Sequence, residues 1–171
     1  MKWILVLILS VVPVLAKPDV IDVVSIIKEN YTFDVDVERD KIILSKEELS
    51  SIKQMAKLPV KSKLYRYYKV TQEDKIVGFA VLISQKVRTK KATVLYLIED
   101  GKMKSIEILA FLEPKEYIPK DIWMGQFDDK NISDSFSIGK DIPTISGATM
   151  SAKSLTDGAR LAIALYNTKL K

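Results

Sequence analysis

The chain contains no cysteine and no histidine. Without them there is no disulfide framework, no thiolate or imidazole zinc site, no iron–sulfur cluster and no Cys-x-x-Cys-His haem attachment. Cysteine nucleophiles and Ser-His-Asp triads are excluded on the same ground. Glycine and proline are sparse, six of each in 171 residues, which excludes collagen-like and low-complexity classes. Neither sign of charge dominates, since 27 Lys and Arg stand against 22 Asp and Glu along the whole chain. The densest basic stretch, Lys86-Val-Arg88-Thr-Lys90-Lys91, holds no aromatic residue. It therefore lacks the stacking surface of a nucleic-acid site and reads as a solvated hairpin loop; no nucleic-acid partner is expected. No catalytic constellation is recognisable and no metal site is expected. Chemistry is left to hydroxyls, carboxylates, amines, backbone amides or a bound cofactor.

A long hydrophobic run occurs once, at the start. Met1-Lys2 is followed by WILVLILSVVPVLA, uncharged from Trp3 to Ala16, and then by Lys17. A spanning helix wants ~20 apolar residues, so the run is short for one. One basic residue, a short apolar stretch and Val14-Leu15-Ala16 at its end fit a secretory signal peptide over residues 1–16. Cleavage after Ala16 is expected, leaving an exported, periplasmic or otherwise extracytoplasmic protein that begins at Lys17. An uncleaved run acting as a membrane anchor is the alternative. With no Cys at the junction, a bacterial lipoprotein is excluded.

Residues 17–171 read as a single α+β domain. Pro18-Asp19 marks a helix start, with Val20, Val23, Val24 and Ile27 at helical spacing. The acidic stretch from Asp34 to Asp40 reads as a connection or a short strand. Ser45 and Glu48 form a capping box opening a second helix, carried by Leu49, Ile52 and Ala56 as far as Pro59. The period then changes to that of strands, at 64–71, 76–87, 92–98 and 103–112. Asp100-Gly101 is a strong hairpin signal between the last two. Four successive strands predict an antiparallel meander. An irregular stretch follows Glu113-Pro114 to about residue 144. A last helix runs from about 150 to 168, with Leu155, Ala159, Ala162, Ile163 and Tyr166 on one face and Met103, Met124 and Met150 as core fillers.

The segment feeding that helix is Asp141-Ile-Pro-Thr-Ile-Ser146-Gly147-Ala148-Thr149-Met150-Ser151. It is a small, hydroxyl-rich turn in which Ser146 or Thr149 can cap the helix and Gly147 permits close backbone approach. Unpaired first-turn amides and the positive end of the helix dipole favour an anion there, above all a phosphate. A helix cap without any ligand has the same composition, so spacing alone leaves both readings open.

The wording of the segment adds to its chemistry. Ser146-Gly147-Ala148-Thr149-Met150-Ser151 resembles the SGAT[LIM][ST] signature of the FMN-binding domain family. That family includes flavin subunits of the sodium-pumping NADH:quinone reductase and of the ferredoxin-linked electron-transport complex. The resemblance extends over Val77-Gly78-Phe79, Asp100-Gly101-Lys102, Glu113-Pro114, the Trp123, Gln126, Phe127 stretch and Leu155-Thr-x-Gly158-x-Arg160, roughly residues 64 to 168. It implies covalent FMN on Thr149 through a phosphoester, made by a separate magnesium-dependent flavin transferase that uses FAD. It also implies an electron carrier serving membrane or extracytoplasmic redox partners, with Ser146, Gly147, Ala148 and Ser151 around the phosphate. Glu113, Trp123, Gln126 and Phe127 are candidates for the flavin ring, the two aromatic residues competing with a role in core packing. A tether through a hydroxyl suits a chain with neither Cys nor His. Two departures are present: the family's Asp three residues before the signature Ser is Pro143 here, and its ETPG-like stretch is reduced to Glu113-Pro114-Lys115. A transferase that requires that Asp would leave FMN noncovalent or absent. A flavin-dependent reductase of a small molecule and a flavin-free binding module are compatible with the same residues.

Overall fold

A computed structural model describes residues 21–171; the expected signal peptide and the Pro18-Asp19 helix start lie outside the described residues. The first described helix, α1 (Val23–Glu29), opens instead at Asp22, whose carboxylate accepts the amides of Val24 and Ser25. An N-cap acid that satisfies two otherwise orphaned donors sets the boundary there.

The second helix, α2 (Lys46–Ala56), has the capping box read from the sequence. The Glu48 amide donates to Ser45 Oγ while Glu48 Oε2 accepts the Ser45 amide at 2.8 Å. The helix ends three residues short of Pro59, where Lys57 takes a left-handed conformation at φ 53°.

Five antiparallel strands form one meander in chain order: β1 (Asp36–Ile43), β2 (Leu64–Gln72), β3 (Lys75–Lys86), β4 (Lys91–Glu99) and β5 (Lys102–Phe111). The acidic stretch is thus the start of an eight-residue edge strand, in register with β2 from Asp36 opposite Thr71 to Ile43 opposite Leu64. Only Ile42 in it is buried, so it has no hydrophobic alternation, and its charges suit an edge that must not recruit another strand. The β2–β3 and β4–β5 turns place Glu73, Asp74, Asp100 and Gly101 at positive φ, the geometry of two-residue hairpins that match strand twist.

β4 is buried on both faces, with Val94, Leu95, Tyr96, Leu97 and Ile98 all inaccessible. Val94, Tyr96 and Ile98 face a core shared with α2 and the last helix, α4 (Thr149–Lys169). Leu95 and Leu97 face a smaller core with Ile27, Tyr31 and Val35. The sheet therefore lies between α1 on one side and α2 with α4 on the other, an α+β layering that gives each apolar face a cover. Between β5 and α4 the chain is irregular except for helical turns at Lys115–Tyr117 and Gly125–Phe127 and the four-residue α3 (Asp121–Met124). Among the described residues no helix is long and apolar enough to cross a membrane.

Candidate functional site

The start of α4 is set by a turn. The Ala148 amide donates to the Ile145 carbonyl at 3.1 Å, and Gly147, third of the four residues, sits at φ 78°. That is the position of a type II turn that calls for glycine. Nothing lies within 4 Å of where a Gly147 Cβ would project, so backbone conformation rather than space selects glycine here.

The expected cap is not the one observed. Ala148 occupies the N-cap position and no side chain caps the helix. Ser146 is exposed and stands outside the adjacent cleft. The exposed Thr149 hydroxyl turns back to the Ile145 carbonyl at 3.4 Å rather than to a first-turn amide. An alanine cap has no oxygen to offer, so the amides at the start of this 21-residue helix lack the side-chain acceptor that usually quiets them.

Those amides border a cleft of about 270 Å³. One wall is the helix start from Gly147 to Ser151, and the other is built from the β3–β4 loop at Val87 and Arg88, with Glu113 and Tyr117. Ser151 is 2% exposed and belongs to the cleft wall. Met150 is 49% exposed, not a core filler, because at the start of α4 it lines the cleft rather than the core. Met103 is buried, and Met124 packs against the core, as expected.

Glu113 lines the cleft but its carboxylate is occupied. Oε1 accepts the amides of Arg88 (3.2 Å), Thr89 (2.6 Å) and Lys90 (2.7 Å), and both oxygens lie 3.2 Å from the Thr89 hydroxyl. The Lys90 and Thr89 amides, opposed by desolvation and aided by Arg88, hold its pKa below the ordinary 4.5. The basic stretch is therefore a loop gathered around an anion of the protein's own.

The candidates for ring stacking lie elsewhere. Phe127 is fully buried, packs edge-on to Trp123 with centroids 5.3 Å apart, and lies against Phe136. The Trp123 indole N–H donates to the Pro143 carbonyl at 2.8 Å, which ties the irregular stretch to the segment before α4. Gln126 is exposed, 3.5 Å from the Ile122 carbonyl. None of the three lines the cleft; the packing role accounts for both aromatic residues. Tyr117 is the aromatic residue that does line it, and Val87 and Arg88, read from sequence only as part of a solvated hairpin loop, line it as well. For Tyr117 the available signal was its place three residues after Pro114; Arg88 had none beyond its charge.

Asp141, the acid nearest the signature, is also engaged. It accepts from the Ser135 hydroxyl (2.7 Å) and the Ser137 amide (2.6 Å) and lies 3.7 Å from Lys130 Nζ. Burial works against its charged form, but these hydrogen bonds outweigh it and lower the pKa.

No protein-family model matches the chain, and no curated protein matches it.

Proposed function

We propose that the protein carries FMN, joined through its phosphate to Thr149 Oγ1, and relays electrons between membrane or extracytoplasmic redox partners. The observation that supports this most is one coincidence. The SGATMS wording falls where an exposed threonine opens a long helix that no side chain caps, at the mouth of a cleft. Uncapped amides and the Ser151 hydroxyl on the cleft wall are suitable donors to the oxygens of a phosphodiester, and the helix dipole favours its remaining negative charge. Ester formation replaces the Thr149 hydroxyl proton by the FMN phosphoryl group, taken from FAD with AMP leaving. A flavin transferase would be the maturation partner. When bound, the flavin supplies the redox chemistry; the chain supplies position and electrostatics. At about 270 Å³ the cleft falls just below the ~300 Å³ at which ordinary ligand pockets begin. Part of a tethered flavin would then stand outside it, within reach of a partner, which suits a carrier better than a reductase that encloses a substrate. Export through the N-terminal run belongs to this proposal.

A second reading, noncovalent FMN or none, is favoured by Pro143. The family's Asp is missing there, and Asp141 is held by Ser135, Ser137 and Lys130 rather than free to replace it.

Intact-mass measurement after co-expression with a flavin transferase separates the two. The wild type should gain the mass of FMN less one water. Thr149→Val should gain nothing while losing under ~1 kcal/mol of stability, since only an exposed 3.4 Å hydrogen bond goes with the hydroxyl. Thr149→Ser should retain partial labelling. A labelled Thr149→Val would move the attachment to another hydroxyl, Ser151 first. A wild type that never gains mass would leave the noncovalent or flavin-free reading.

A further inference from the structure

The loop opposite the start of α4 is a built object that the flavin proposal leaves unused. Residues 87–90 join β3 to β4, and the loop is closed by the Val87 amide donating to the Lys90 carbonyl at 3.0 Å. Glu113, 8% exposed, gathers three successive amides of this loop from a position more than twenty residues on. A carboxylate bound in this way fixes backbone, and the backbone it fixes carries Arg88 on the cleft wall. Arg88 is exposed and has no carboxylate within 4.0 Å among the described residues. Glu113, the acid whose carboxylate meets its backbone, is already shared among three amides and a hydroxyl. Across the cleft stand the uncapped start of α4 and Ser151, a residue 2% exposed on the cleft wall.

From this arrangement we infer that Arg88 is the specificity residue for the phosphate end of the ligand, and that Glu113 is the positioning residue that presents it. The inference rests on the reading of the cleft as the cofactor site, and it adds what that site selects for. Helix amides and a serine hydroxyl donate hydrogen bonds from one side but carry no full charge. A guanidinium on the same cleft supplies the countercharge and a planar pair of donors matched to a phosphoryl group. The loop's own backbone donors are spent on Glu113 and on the Lys90 carbonyl, and Arg88 is the cationic residue of the loop that lines the cleft. A ligand with the same ring but no phosphate gains nothing from it.

The test uses the ¹⁵N-labelled protein without transferase, titrated with inorganic phosphate and then with FMN and riboflavin. Phosphate should shift the amides of Thr149, Met150 and Ser151. Arg88→Ala should raise the half-saturating phosphate concentration roughly tenfold, the loss of about one charge-assisted hydrogen bond, and Arg88→Lys should recover part of it. FMN should weaken by a similar factor in Arg88→Ala, while riboflavin binding stays as in the wild type. Glu113→Gln should weaken phosphate in the wild-type background and add nothing in an Arg88→Ala background, because it acts through Arg88. Equal phosphate midpoints in wild type and Arg88→Ala, or equal losses of FMN and riboflavin, would overturn the role of Arg88. Additive losses in the double variant would overturn that of Glu113. Arg88-dependent phosphate binding in a chain that never accepts flavin would remove the FMN proposal and leave this one standing. Labelled Thr149 with a phosphate response indifferent to Arg88 would do the reverse.

Discussion

A carboxylate that collects three amides titrates as part of the fold. The Lys90 and Thr89 amides, against the cost of desolvation, keep Glu113 charged below its ordinary pKa of 4.5. A group whose folded pKa is depressed stabilises the fold fully above its unfolded value and ceases to do so as pH falls through the folded value. Glu113 should therefore add constant stability above about pH 4.5 and lose that contribution below it. Glu113→Gln retains one acceptor oxygen but no charge. Urea midpoints for wild type and variant should be separated at about pH 6 and converge as pH drops toward about 3. Asp141 is lowered as well, through Ser135 and Ser137, so the variant should keep a shallower acid limb of its own. A separation that stays constant across this range would show that the loop does not depend on the charge.

The placement of α4 depends on a glycine that has nothing to do with turns. Gly158 is buried where the helix crosses β4, and a Cβ there would overlap the Tyr96 hydroxyl and come within 2.8 Å of Gln85 Nε2. Both groups serve the same contact: Tyr96 donates to the Leu155 carbonyl at 3.2 Å, and Gln85 donates to the Ser154 carbonyl. In an exposed helix Gly→Ala gains up to ~1 kcal/mol; here overpacking, at about 1–3 kcal/mol, has the opposite sign and the larger size. Gly158→Ala should lower the melting temperature, and a rise would refute the close contact. The same helix shows what could be read in advance and what could not. Its apolar face, its opening at about residue 150 and the Ser45–Glu48 box that starts α2 depend on residues within one or two turns of each other, and local spacing reveals them. β1 was legible only as a connection or a short strand, because an edge strand is held by ladder hydrogen bonds and buries almost nothing. The cleft was half legible. The helix wall follows from the signature, whereas the opposite wall depends on Glu113 meeting a loop 23–25 residues earlier, a pairing that no periodicity encodes. The cap was misread because Ser146 and Thr149 are good capping residues by type, and the turn at Gly147 carries Ser146 away from the amides it would have served.

Neither face of the sheet is closed by the sheet itself. α1 is seven residues long and covers one face in part, while the other face, with Val81, Ile83, Val94, Tyr96 and Ile98, is buried against α2 and α4. α4 brings Leu155, Leu161, Ile163 and Leu165 into that core, all nearly inaccessible. At ~1.5–3 kcal/mol for each fully buried side chain, these four alone contribute about 6 kcal/mol or more. That matches or exceeds the lower end of the ~5–15 kcal/mol by which an ordinary domain is stable at all. The helix has the converse problem: with twelve of its 21 residues buried against the rest of the fold, it has little reason to form in water apart from the sheet. Sheet and helix should therefore fold together or not at all, and a chain truncated at Asp141 tests this directly. It retains all five strands and their turns, so local propensity is untouched, but it exposes the apolar face of the three central strands. The expected product is an aggregating or unfolded chain without a cooperative thermal transition, by circular dichroism and calorimetry. A soluble fragment that melts sharply would mean that the meander is an independent unit and that α4, with Thr149 at its start, is an appendage docked on it.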